Sequence, residues 1–196
     1  MKIAIDFGIT NTDLVIKKNK KTIYQTFPSI RKPTTKFVKK ILKKVDKKEI
    51  EYFVFTGGHH YLFKNKNYNK IPIIHVNEIN AIGSGGIFLT RKFKLKSALI
   101  VSAGTGTACV YANKKTFKHI TGTSLGGGTL LGLSKLLLNI VDPNKIDKLA
   151  CKGSSKSTDF ILKEVVSGKI GNLNPNSTAI NFGKISFNKK ITFRRI

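Results

Sequence analysis

One pattern occurs twice along the chain, and it restricts the fold more than any other feature. KIAIDF (residues 2–7), a turn at Gly8, TDLVIKK (12–18), a Lys/Asn turn and KKTIYQTF (20–27) read as three strands. Residues 34–45 follow with Phe37, Val38, Ile41, Leu42 and Val45 at helical spacing on one face. The second half repeats this order. LKSALIVSAGTGTACVYANKKTFKHITGT (95–123) reads as strand, turn, strand, turn, strand, and GGGTLLGLSKLLLNIV (126–141) as the helix after it. The duplication is one of pattern, not of residue identity. Between the repeats, EYFVFTGG (51–58) and IPIIHV (71–76) read as buried strands. A helix is expected after Val76 with Asn77 as N-cap, although glycines at 83, 85 and 86 run against it. Helices are expected near 144–151 and 157–167, before a closing segment ISFNKKITFRRI (185–196). These features predict an α/β protein of two lobes, residues 1–94 and 95–196.

The formal net charge is +26, from 36 Lys+Arg against 10 Asp+Glu. A nucleic-acid-binding module is one reading of that excess. The composition favours another. Arginine, the residue suited to bidentate phosphate and base contacts, occurs only at 31, 91, 194 and 195. Lysine is spread over the whole chain together with Ile, Asn and Phe, as an AT-rich coding sequence produces. Nucleic acid is therefore not an expected partner. No window of 18 uninterrupted apolar residues predicts a membrane span. Cys109 and Cys151 stand far apart with no metal-binding spacing, so the expected compartment is the cytoplasm.

Chemistry is suggested at three glycine-bearing segments and two acids. DFGITNT (6–12) and SAGTGTA (102–108) are small, hydroxyl-rich turns between strands. Each is either a plain turn or a cradle whose backbone N–H groups converge on an anion. Gly126, Gly127 and Gly128 stand at the mouth of a helix, where free N–H groups and the helix dipole favour a phosphate. Asp6 is a carboxylate in an otherwise apolar strand, and such groups are rare unless paired or bound to metal. Water-mediated Mg²⁺ is one use for it. Glu78 lies in the first turn of the helix after IPIIHV, where it either performs chemistry or complements the dipole.

In order, DFGITNT, HVNEINAIGSGG (75–86), VSAGTGTACVY (101–111), HITGTSLGGGTLLGLSKLL (119–137) and STAINFGK (177–184) resemble the type II pantothenate kinases. These belong to the actin-like ATPase (sugar kinase/Hsp70/actin) superfamily, whose lobes are duplicated and ribonuclease-H-like. The resemblance implies phosphorylation of pantothenate by ATP and Mg²⁺, the first step of coenzyme A synthesis. It implies Glu78 as the general base and Asp6 as the Mg²⁺-associated acid. Gly8, Ile9, Thr10, Asn11, Thr12 and Asp13 fall in the first ATP-phosphate segment. Gly104, Thr105 and Gly106 form the second, with Thr105 also near substrate. Gly127, Gly128, Thr129, Leu130 and Leu131 lie between the phosphates and adenosine. A homodimer and an acyl-CoA feedback ligand belong to the same implication.

Three departures stand out. Asp13 occupies the place of a phosphate-binding lysine. His119 occupies that of a substrate-binding arginine, and as an alternative is an ordinary strand-end histidine; imidazole does not form a bidentate fork with a carboxylate. The chain ends soon after NFGK (181–184), so the second lobe is expected to lack closing elements and to leave an apolar face uncovered. A catalytically inactive nucleotide- or acyl-CoA-binding relative, or a fragment of the kinase, is the alternative these departures suggest.

Overall fold

The computed structural model describes residues 1–43 and 45–187. Lys44, within the helix expected over 34–45, and residues 188–196 of the closing segment lie outside the described residues. Two compact units divide the chain, one of Met1–Leu138 and one beginning at Asn139.

The first unit contains two sheets. In the larger, β1 (Lys2–Phe7), β2 (Asn11–Lys18) and β3 (Lys21–Pro28) form an antiparallel meander. After α1 (Thr35–Ile41), β4 (Tyr52–Thr56) joins β1 in parallel. β5 (Asn67–Tyr68) and β6 (Ile71–His75) complete the order β3-β2-β1-β4-β6-β5. Alternation along the strands sorts the two faces. Ile3, Ile5, Phe7, Leu14, Phe53 and Phe55 are each at most 1% exposed and pack with Phe37, Val38 and Leu42. Phe7 and Phe55 meet edge to face at 5.0 Å between centroids. Each such side chain contributes about 1.5–3 kcal/mol by its burial. Asp6 and Asp13, one step out of phase with these residues, fall on the opposite face. The two-residue strand β5 was not evident from the sequence, because two residues carry no periodicity.

α2 (Glu78–Leu89) leaves the larger sheet and packs on the smaller one, β7 (Ser97–Ala103), β8 (Thr107–Asn113) and β9 (Phe117–Thr123), antiparallel in the order β7-β8-β9. Its glycines, unfavourable by propensity, are explained here. A Cβ on Gly83 would overlap the Phe117 ring, and one on Gly86 would overlap the Ile100 side chain. The close approach needs bare backbone. α3 (Gly127–Leu138) ends the unit.

In the second unit, α4 (Pro143–Lys152) is capped by Asp142, whose carboxylate accepts from the Asn144 N–H at 2.9 Å. The helix expected over 157–167 is not continuous. A turn at Ser155–Ser157 leads to the short strand β10 (Phe160–Ile161), and α5 is only Leu162–Val165. β10 pairs with β11 (Thr178–Ile180), a long-range partner that outweighs local helical spacing. Glu164 also accepts from the Ile161 N–H at 2.9 Å, which starts the helix late. In NFGK, Phe182 has φ +60° and donates its N–H to Asp159 at 3.0 Å.

Candidate active site

A cleft of about 760 Å³ opens in the first unit between the ends of the two sheets. Asp6 enters it from the end of β1, and Asp13 stands directly opposite Asp6 in the β1–β2 ladder. Between them the chain turns tightly. A Cβ on Gly8 would lie 2.6 Å from the Asn11 carbonyl oxygen. Ser29 fastens the turn, donating its hydroxyl to the Gly8 carbonyl at 2.7 Å and its N–H to the Thr10 carbonyl at 2.9 Å. Thr12 does not reach the cleft. It is buried and its hydroxyl lies 3.0 Å from that of Ser29, so it braces the loop from behind.

Glu78 opens α2 on the facing side. Asn77 caps the helix, its Oδ1 accepting from the Ile79 N–H at 2.8 Å, and the Val76 N–H bonds the Phe55 carbonyl at 2.8 Å. The start of α2 is thereby tied to the end of β4, next to Asp6. Gly58 lies against Glu78, where an added Cβ would sit 3.7 Å from Oε2.

The β7–β8 turn supplies Gly104, Thr105 and Gly106. The Thr10 and Thr105 hydroxyls share a hydrogen bond at 2.9 Å, joining the two glycine loops across the cleft. Gly126, Gly127 and Gly128 receive a use different from free anion donors. The Gly127 N–H bonds the Gly104 carbonyl at 2.8 Å and the Gly128 N–H bonds the Thr105 carbonyl at 3.0 Å. A Cβ on Gly126 would lie 2.7 Å from the Thr105 carbonyl oxygen, and one on Gly128 would overlap the Thr105 methyl. The glycines let the turn and the helix start dock backbone to backbone. Gly127, Gly128 and Leu131 line the cleft; Thr129 and Leu130 do not. Thr129 Oγ1 instead donates to the Ser124 carbonyl at 3.2 Å, and Leu130 is exposed. His119 lines the cleft from β9, beside a register irregularity that leaves Ile120 unpaired in the β8–β9 ladder.

The electrostatics single out Asp6. Its pKa is raised from an ordinary 3.8 to about 6, first by partial burial in the cleft, then by the negative charges of Glu78 and Asp13, with His60 acting weakly the other way. Three residues near it carried no sequence expectation of a role: Thr56, Gly57 and His60. Gly57 has φ +89°, and a Cβ there would overlap Asp6 Oδ1. His60 Nδ1 donates to the Gly57 carbonyl at 2.6 Å and holds this turn. The double glycine ending a buried strand was the available signal. Among the described residues, no three His, Cys, Asp or Glu side chains group closely enough to hold a metal by themselves. No helix is long and apolar enough to cross a membrane among the described residues.

The Fumble family profile matches residues 10–195. A type II pantothenate kinase of Bacillus thuringiensis subsp. konkukian is 30% identical over 185 residues, 93% of this chain and 65% of the relative. One of Bacillus cereus is 32% identical over 137 residues, 69% of this chain and 50% of the relative. One of Staphylococcus aureus is 26% identical over 187 residues, 94% of this chain and 67% of the relative. The chain thus spans about half to two thirds of the length of these curated relatives. Among solved structures, the activator of the 2-hydroxyisocaproyl-CoA dehydratase from Clostridium difficile with bound ADPNP aligns with a TM-score of 0.50 at 14% identity. That alignment covers 86% of this chain and 58% of the other. The fold is mixed α/β of the ribonuclease-H-like kind. The profile match spans nearly the whole chain, and the chain belongs to the Fumble family, that of the type II pantothenate kinases.

Proposed function

We propose that the cleft transfers the γ-phosphoryl group of ATP to the primary hydroxyl of pantothenate, giving 4'-phosphopantothenate. The observation that carries this reading is Glu78 facing the two glycine loops, 8–10 and 104–106, across one cleft. In the reaction the hydroxyl oxygen forms a bond to the γ-phosphorus, the bond from that phosphorus to the β–γ bridging oxygen breaks, and the hydroxyl proton passes to Glu78. Such transfers depend on positioning and charge stabilisation more than on covalent chemistry. Gly8, Ile9, Thr10 and Asn11 from one side and Gly104, Thr105 and Gly106 from the other position the phosphates. The Thr10 and Thr105 hydroxyls exchange their mutual bond for phosphate oxygens. His119 takes the substrate side.

The residues fit a magnesium ion. Asp6 and Asp13 are hard oxygen donors without an ion-pair partner among the described residues. Too few side chains converge to bind it alone, the usual state of a Mg²⁺ site that is completed by water and substrate phosphates. Asp6 would hold it through water, and when bound the ion neutralises charge on the phosphates. The lobe boundary near residue 94 is part of the proposal, supported by the sheets lying wholly on either side of it. A cytoplasmic homodimer with acyl-CoA feedback belongs to it as well.

Glu78→Gln tests the assignment. We expect pantothenate-dependent ADP formation to fall at least about 100-fold, the scale of general-base catalysis, with ATP affinity unchanged. Turnover at the parent rate would remove Glu78 from the role of base. The carboxylate of Asp13 in the phosphate region favours one second reading, a relative that binds nucleotide or acyl-CoA without transferring phosphate. ATP binding with no ADP formed in the presence of pantothenate would select it.

A further inference from the structure

The charge of the cleft runs against that of the chain. The whole sequence holds 10 Asp+Glu against 36 Lys+Arg. Yet Asp6, Asp13 and Glu78 all line the cleft, and among the described residues no lysine or arginine does. None of the three carboxylates forms an ion pair among the described residues. Asp13 is held in place. Thr26, its ladder partner on β3, donates its hydroxyl to Asp13 Oδ1 at 2.5 Å. The Debye length is about 8 Å at physiological salt, so exposed lysines beyond that range are largely screened, while carboxylates inside the cleft act on a ligand at contact distance.

A free polyphosphate entering this cleft meets backbone donors and hydroxyls but also three negative charges. The same polyphosphate carrying a divalent cation brings the charge that the cleft lacks. We propose that Asp13 is a specificity-determining residue that makes the cleft discriminate against the free polyphosphate anion in favour of its divalent-cation complex. This rests on the nucleotide reading given above. It concerns which form of the ligand is admitted, not the transfer step.

The test is equilibrium binding of ATP to the full chain by calorimetry, once in EDTA and once in excess Mg²⁺, at physiological salt. Two variants accompany the parent, Asp13→Asn and Thr26→Val. The parent is expected to bind ATP at least about 10-fold more weakly in EDTA than in Mg²⁺, the scale of one unscreened like charge at contact distance. Asp13→Asn is expected to recover most of that factor in EDTA while changing the Mg²⁺ value little. Thr26→Val, which frees the Asp13 carboxylate from its anchor, is expected to fall between. Raising the salt concentration is expected to narrow the parent's EDTA-to-Mg²⁺ ratio and to leave that of Asp13→Asn nearly unchanged. An unchanged ratio in Asp13→Asn overturns the proposal and leaves the nucleotide reading standing. No ATP binding in either medium, by parent and variant alike, overturns the nucleotide reading and this inference with it.

Discussion

Asp6 shows at the scale of one residue how the fold sets chemistry. Its folded pKa of about 6 lies above its ordinary 3.8, so folding disfavours the charged form. The contribution of Asp6 to stability is therefore fully present below pH 3.8 and is lost as the pH rises through about 6. In the absence of ligand, Asp6→Asn is expected to gain stability relative to the parent between pH 4 and pH 7. Urea unfolding of both proteins at the two pH values checks this, and a constant difference between them would count against it. The neighbouring Gly57 is constrained by its φ of +89° and by contact with Asp6. Gly57→Ala is expected to cost more than about 1 kcal/mol, because it meets backbone strain and overlap together. Asp6 was legible in the sequence as a carboxylate in an apolar strand. Gly57 was not, since its constraint comes from a residue 51 positions away.

At the scale of elements, the glycines before and within α3 separate two physical roles. Gly126 abuts the turn at Thr105 and Gly106, whereas Gly132 has nothing within 4 Å of an added Cβ. Gly126→Val is expected to destabilise the chain by about 1–3 kcal/mol through overpacking and to weaken ATP binding. Gly132→Ala is expected to stabilise it by about 0.5–1 kcal/mol through helix propensity alone. Chemical denaturation of both variants decides between packing and propensity. A triple glycine at a helix mouth was readable as a close approach, but the approaching group was not. The Gly127 and Gly128 N–H groups are spent on the 104–105 turn, a partner about 20 residues upstream that local pattern cannot name. The start of α2 was readable to the residue, because Asn77 caps it through a local bond that any helix start requires. The segment 157–167 was misread as one helix because its strand pairing lies in 178–180.

For the whole molecule, stability rests on the larger sheet's aromatic core. Phe55 is fully buried and touches Phe7, Phe53 and Phe63. Phe55→Ala is expected to cost about 3–5 kcal/mol, read as a fall in the urea midpoint with little change in slope. The smaller sheet is different. Leu99 and Val101 on β7 are 61% and 60% exposed, on the face away from α2. Leu99→Lys with Val101→Lys is expected to reduce binding of a hydrophobic dye while leaving the urea midpoint nearly unchanged, because neither side chain is buried.

The sequence by itself determined the strands of the two meander-and-helix repeats and the cap at Asn77, and it singled out the acids Asp6 and Glu78. Each depends on spacing or on a neighbour within a few residues, and such interactions are written locally. Only the tertiary structure decided that Asp6, Asp13 and Glu78 share one cleft free of lysine among the described residues. It also decided that Thr10 meets Thr105 and that the triple glycine docks on a turn. Those outcomes follow from packing two sheets through α2, and the distance between groups brought together in that way has no periodicity along the chain.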